Sequence, residues 1–133
     1  MRVVADSHAI VWYIQGSARL SEPAAIALAE AEAVGGLVMS VATLIDLWYV
    51  TETTQAVTAA QLKFLWGQLV ASPDVSLEPV NVAVAETSMR IARTVLPDPW
   101  DRLIVATALA LEAPLVSRDG AITRSGLLNP PHG

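Results

Sequence analysis

Asp98-Pro99-Trp100-Asp101-Arg102 leads into the apolar run Leu103-Ile104-Val105-Ala106-Thr107-Ala108-Leu109, and beyond Ala113-Pro114 the chain continues as Leu115-Val116-Ser117-Arg118-Asp119. The first part predicts a helix with Asp98 as N-cap. Pro99 then takes the first helical position, where its missing N–H costs nothing, and Asp101 the third, near the positive end of the helix dipole. The second part predicts a short buried strand that ends at Arg118-Asp119-Gly120. Two acids at a helix start can be fully occupied with backbone N–H groups. Three more acids, Asp6, Asp46 and Asp119, stand in hydrophobic surroundings where acids are unusual, so the question is whether the set converges.

Outward from that stretch the same unit recurs. Arg2 to Ala5 reads as a buried strand ending at Asp6-Ser7-His8, with Ala9 to Ile14 as a helical continuation. Asp6 alone could be a turn former or a cap, and His8 reads as a local histidine rather than a ligand, because no second His lies near it. Ser21 caps an alanine-rich helix from Ala24 to Ala33, which Gly35-Gly36 ends. Leu37-Val38-Met39 is a second strand, and Ser40 caps a helix from Val41 to about Glu52 that carries Thr43 and Asp46 about one turn apart. Asp46 either points to solvent or sits in a polar notch, since an ionised carboxylate among Leu, Ile and Trp is costly without a partner. Thr58-Ala59-Ala60-Gln61 resembles a capping box opening a helix to about Val70, and Thr51 to Val57 is a polar connection. Val75-Ser76-Leu77 is a third strand, and Asn81 caps a helix through Arg93. Its Arg90 and Arg93 are either surface charges or phosphate contacts. Short apolar strands separated by helices give an α/β sandwich with a mainly parallel central sheet.

Composition narrows the function. The 133 residues form a single expected domain, 1–133, with a frayed tail over about 129–133; 53% of residues are hydrophobic and 16% charged, which excludes a disordered or coiled-coil chain. Cys is absent, so there is no thiolate chemistry and no cysteine zinc site. No secretory signal or membrane-spanning run is expected, which makes a soluble, cytoplasmic protein the default. A net charge of -5 argues against holding long nucleic acid by bulk electrostatics. It leaves open a nuclease whose acids bind cations that reach the phosphates.

In a parallel sheet, sites form beyond the carboxyl ends of the strands, where the strand order reverses. Asp6 and Asp119 are expected at such ends, Asp101 at the start of the helix before the last strand, and Asp46 on the helix after the second. If the strands are neighbours, these carboxylates face one pocket. An all-oxygen set suits Mg²⁺ or Mn²⁺ better than zinc, and such ions activate water and stabilise negative charge on phosphorus oxygens.

The ordered set Val4-Ala5-Asp6-Ser7-His8 with Trp12, Arg19-Leu20-Ser21, the helix from Ser40 to Val50, Asp98 to Ala108 with its Asp-Pro-aromatic-Asp-Arg block, and Leu115 to Asp119 resembles a PIN-domain protein of the VapC toxin type. The resemblance covers nearly the whole chain. It implies a three-layer α/β/α PIN-like sandwich and an Mg²⁺/Mn²⁺-dependent endoribonuclease. It also implies a homodimer that acts as the toxin of a toxin–antitoxin pair and is silenced by a cognate VapB-like antitoxin. By the family pattern Asp6, Asp101 and Asp119 map onto metal-site acids, and Asp46 stands where the family usually has Glu. Asp98 is then a cap or an outer member, Thr43 and Ser117 orient carboxylates, and Arg102 and Arg118 are candidates for phosphate contact or acid pairing. The apolar helices 22–33 and 58–70 are candidate dimer or antitoxin surfaces.

Three other readings compete. The shorter Asp46 could leave a weakened or non-cleaving member that binds RNA or its antitoxin. A phosphoacceptor domain would also place an Asp at a strand end, but it usually needs a late lysine, and Lys63 is the only lysine. In a structural partner protein the acids would serve only as caps.

Overall fold

A computed structural model describes residues 2–53 and 57–117. The expectations for Arg118, Asp119 and the tail from Asn129 to Gly133, and part of the connection between Thr51 and Val57, lie outside the described residues. Four strands, β1 (Val3–Ala5), β2 (Leu37–Ser40), β3 (Val75–Glu78) and β4 (Leu115–Val116), form one parallel sheet in the order β3-β2-β1-β4. Six helices accompany them: α1 (Ser7–Gln15), α2 (Glu22–Ala33), α3 (Val41–Thr53), α4 (Ala59–Ala71), α5 (Val82–Met89) and α6 (Pro99–Ala110).

The period-two alternation of the strands divides the core. Val3, Ala5, Leu37 and Met39 face one layer, where they pack with Ile10, Leu28 and Leu65 of α1, α2 and α4. Val4, Val38 and Leu115 face the other, against Val84 of α5 and Ile104 and Val105 of α6. With both faces covered, the strands read as continuous apolar runs, and β1 and β2 are buried throughout. Helix α3 shares both clusters, Ala42 with one and Leu47 with the other, so it crosses from one face toward the other beyond the end of β2. No helix among the described residues is long and apolar enough to cross a membrane.

Local signals account for most boundaries. The side chains of Asp6, Ser21, Thr58, Asn81 and Asp98 cap α1, α2, α4, α5 and α6, and Thr58 with Gln61 completes the capping box. Gly16, at φ 63°, ends α1 in the left-handed region that glycine enters without steric cost, and its turn brings Arg19 back toward α1. One helix is shorter than the sequence predicts. Helix α5 stops at Met89 rather than Arg93, because Ile91 and Leu96 leave the helical path to enter the core beside α6. Helix α6 stops at Ala110, since Pro114 bars the helical region to Ala113, and Glu112 takes a positive φ of 52° to make the turn.

Between α1 and α2 the Tyr13 hydroxyl donates to Glu32 Oε1 at 2.6 Å. Burial, and then the Glu32 carboxylate, push the Tyr13 phenol from 10.0 up to about 12. The fold thus favours the neutral phenol. That contribution is complete below pH 10 and is lost as pH rises through about 12. Tyr13→Phe is expected to lower the unfolding free energy at neutral pH by about 1 kcal/mol. Denaturant unfolding at a series of alkaline pH values should show the gap between wild type and variant closing; a gap that stays constant would show that this bond is not its source.

Candidate functional site

The strand order reverses between β1 and β4: the chain moves from β1 to β2 on one side and returns to β4 on the other. Beyond their carboxyl ends lies the crevice where parallel sheets place their sites. Asp6 follows β1 directly and is 1% exposed. Its backbone N–H donates to the Val116 carbonyl at 3.2 Å, continuing the pairing of β1 with β4. Its Oδ1 accepts from the Ala9 N–H at 2.8 Å and its Oδ2 from the Ser117 hydroxyl at 2.6 Å. The cap expected of Asp6 is therefore real, yet it uses only one oxygen. The other is oriented by a side chain 111 positions away in the sequence.

Asp46 is brought in by α3. Its Oδ2 accepts from the Ser7 hydroxyl at 2.5 Å, which joins α3 to the first turn of α1 immediately beside Asp6. Thr43, one turn earlier on α3, is fully buried, and its hydroxyl has no hydrogen-bond partner among the described residues. Asp101 lies on the first turn of α6, 9% exposed, while the exposed Asp98 caps that helix through the Trp100 N–H at 2.8 Å. Asp46, Asp98 and Asp101 line one cavity of about 410 Å³ together with Ser7 and His8. Its remaining walls come from the cleft between α1 and α3, including Trp12, Tyr49 and the guanidinium-bearing Arg19.

The other candidates sit elsewhere. Arg102 turns its Nη1 to the carbonyls of Leu96 at 2.6 Å and Pro97 at 2.9 Å, where it stitches the loop before α6 to the helix. Arg90 is the C-cap of α5 and Arg93 lies past its end, so neither lines this cavity. Ser7, His8 and Arg19 were assigned no role by the sequence. Ser7 could have been suspected from its position next to Asp6, at the start of a helix. Arg19 carried no local signal, because the Gly16 turn is what directs it to the cleft.

Among the described residues no three acidic or imidazole side chains converge tightly enough to make a cation site by themselves. Asp119, the fourth expected acid, lies outside them. Apart from the His8 imidazole, which packs on Trp12, the described donors are oxygens: carboxylates of Asp6, Asp46 and Asp101, with the hydroxyls of Ser117 on Asp6 and Ser7 on Asp46. With no Cys in the chain, that set suits a hard divalent cation.

No curated protein matches the sequence. Among solved structures the chain is similar to a toxin–antitoxin complex from Klebsiella pneumoniae, with a TM-score of 0.66, 15% identity and 98% of each chain covered. That likeness concerns the fold. The family match is carried by the sequence itself and runs over residues 3–126, which takes in the strands and helices of the described residues and each of the acids considered above. The chain therefore belongs to the PIN-domain family.

Proposed function

We propose that the protein is a metal-dependent endoribonuclease that hydrolyses RNA phosphodiester bonds and acts as the VapC-type toxin of a toxin–antitoxin pair. The observation that carries this reading is the meeting of Asp46 and Asp101, from helices that follow different strands, at one cavity beside the buried Asp6. Caps alone do not account for it: Asp46 is in the second turn of α3, where no free backbone N–H needs it, and its oxygen is held by Ser7 instead.

Asp6, Asp46, Asp101 and Asp119 would hold Mg²⁺ or Mn²⁺. A divalent ion bound there supplies charge neutralisation for the attacked phosphate and makes a water easier to deprotonate. The chain's own part is positional. Ser117 fixes Asp6, Ser7 fixes Asp46, and the rigid N-terminal turn of α6 fixes Asp101, so the acids need little reorganisation when substrate arrives. The similarity to a toxin–antitoxin complex supports a cognate VapB-like antitoxin as partner. An apolar groove between α3 and α4, lined by Leu44, Trp48 and Trp66, together with the exposed Phe64 of α4, offers surface for that antitoxin or for a homodimer.

Asp101→Asn is expected to abolish Mn²⁺-dependent cleavage of single-stranded RNA while the protein keeps its fold by circular dichroism. It should also reduce the rise in melting temperature that Mn²⁺ gives the wild type. Cleavage by the pure variant at the wild-type rate would rule out the assignment.

Asp46 is one methylene shorter than the Glu usual in the family. Asp46→Glu is expected to tighten Mn²⁺ binding, read as a larger thermal shift at subsaturating metal. Equal shifts would mean that the shorter acid, held by Ser7, serves the cation as well as the longer one.

A further inference from the structure

The cavity holding Asp46 and Asp101 extends away from them along the cleft between α1 and α3, as far as Gln15 and Thr53. Both helices follow carboxyl ends of adjacent parallel strands, and the Ser7 to Asp46 bond ties their starts together. Moving outward from that bond, α1 presents Trp12 and α3 presents Tyr49, each on the order of 5–8 Å along its helix axis. Trp12 is half-buried and ring-paired with His8, their centroids 5.5 Å apart and the planes tilted by 49°. Tyr49 is 58% exposed although it lines the cavity, so its ring costs nothing to uncover. Arg19 stands at the same cavity, and its guanidinium makes no ion pair among the described residues.

Acids at one end of a cleft, aromatic rings at the next step and a cation at the wall suit a chain molecule with alternating phosphates and flat bases. We propose that the α1/α3 cleft is a nucleobase subsite for single-stranded RNA, in which a base next to the scissile phosphate stacks on Tyr49 and Trp12 while Arg19 holds a backbone phosphate. This rests on the ribonuclease reading above and adds to it the cleft residues of this chain that would grip a base and a phosphate.

The charge balance favours stacking as the source of affinity. With a net charge of -5 and Arg19 as the cation at the cleft among the described residues, phosphate attraction is small, whereas stacking on an aromatic ring works whatever the net charge. It also requires unpaired bases, because a base inside a duplex presents no free face to Tyr49.

The test places Tyr49→Ala and Tyr49→Phe in the Asp101→Asn background and measures binding of a short fluorescent single-stranded oligoribonucleotide in the presence of Mn²⁺. An abasic strand of the same length and the corresponding duplex serve as probes of charge alone. Tyr49→Ala is expected to weaken single-strand binding about ten-fold and Tyr49→Phe to leave it near the parent value. Neither should change binding of the abasic strand or the duplex. The salt dependence should be shallow, with a slope of about -0.7 for one phosphate contact, and flatter still in Arg19→Gln. In the cleaving protein, Tyr49→Ala should raise KM and leave kcat near wild type. Equal single-strand binding by the Ala and Phe variants, or an equal loss on abasic RNA, would overturn the subsite. Absence of Mn²⁺-dependent cleavage by wild type would instead overturn the ribonuclease reading, so the two failures are distinguishable.

Discussion

Everything at the site depends on the parallel pairing of β1 with β4. That pairing joins segments more than 100 positions apart in sequence and is closed at its carboxyl end by the Ser117 hydroxyl on Asp6. The two strands flank the point where the strand order reverses, and parallel sheets place their sites beyond the carboxyl ends of such a pair. A buried carboxylate at such a place would be costly if unpartnered. Here its two oxygens accept from a helix N-terminus and from a hydroxyl, so the acid is both tolerated and aimed. The first turn of α1 then acts as a bracket: Asp6 caps it from below, and Ser7 reaches across to Asp46.

Much of this was legible in the residues. The four strands, the capping residues and the start of α6 follow from short apolar runs and from Ser, Thr, Asn or Asp placed ahead of helical periodicity, signals that act over a few neighbours. The parallel sheet, too, could be read from the alternation of strand and helix. What was hidden was set by tertiary packing. Nothing local announces that Ile91 and Leu96 will abandon the pattern of α5 to fill space beside α6. Nor can sequence tell whether Arg102 faces the pocket or its own loop, because a guanidinium on a first turn can reach either, and carbonyls left open by Pro97 and its neighbours are strong acceptors. The aromatic wall was concealed for the opposite reason, since Trp12 and Tyr49 fit the apolar stripe of a core helix and only the opening between α1 and α3 distinguishes them.

Asp46, which stands where the family resemblance implies Glu, is held beside Ser7. A carboxylate on a shorter stem has fewer rotatable bonds, and the Ser7 hydroxyl removes much of the freedom that remains. The shorter side chain is held in one orientation. The buried hydroxyl of Thr43, on the same helix, has no hydrogen-bond partner among the described residues, so it does not orient a carboxylate there as the sequence suggested; Ser7 holds Asp46 instead.

The two hydrogen bonds from Arg102 to the carbonyls of Leu96 and Pro97 have a mechanical consequence. They lash the segment entering α6 to the helix itself, while Leu96 is anchored in the core and Asp98 caps the first turn. Entry loop, cap and first turn are therefore cross-linked into one unit seated on the apolar layer through Leu96. Asp101, on that first turn, is thereby positioned by the entry loop as well as by its own helix.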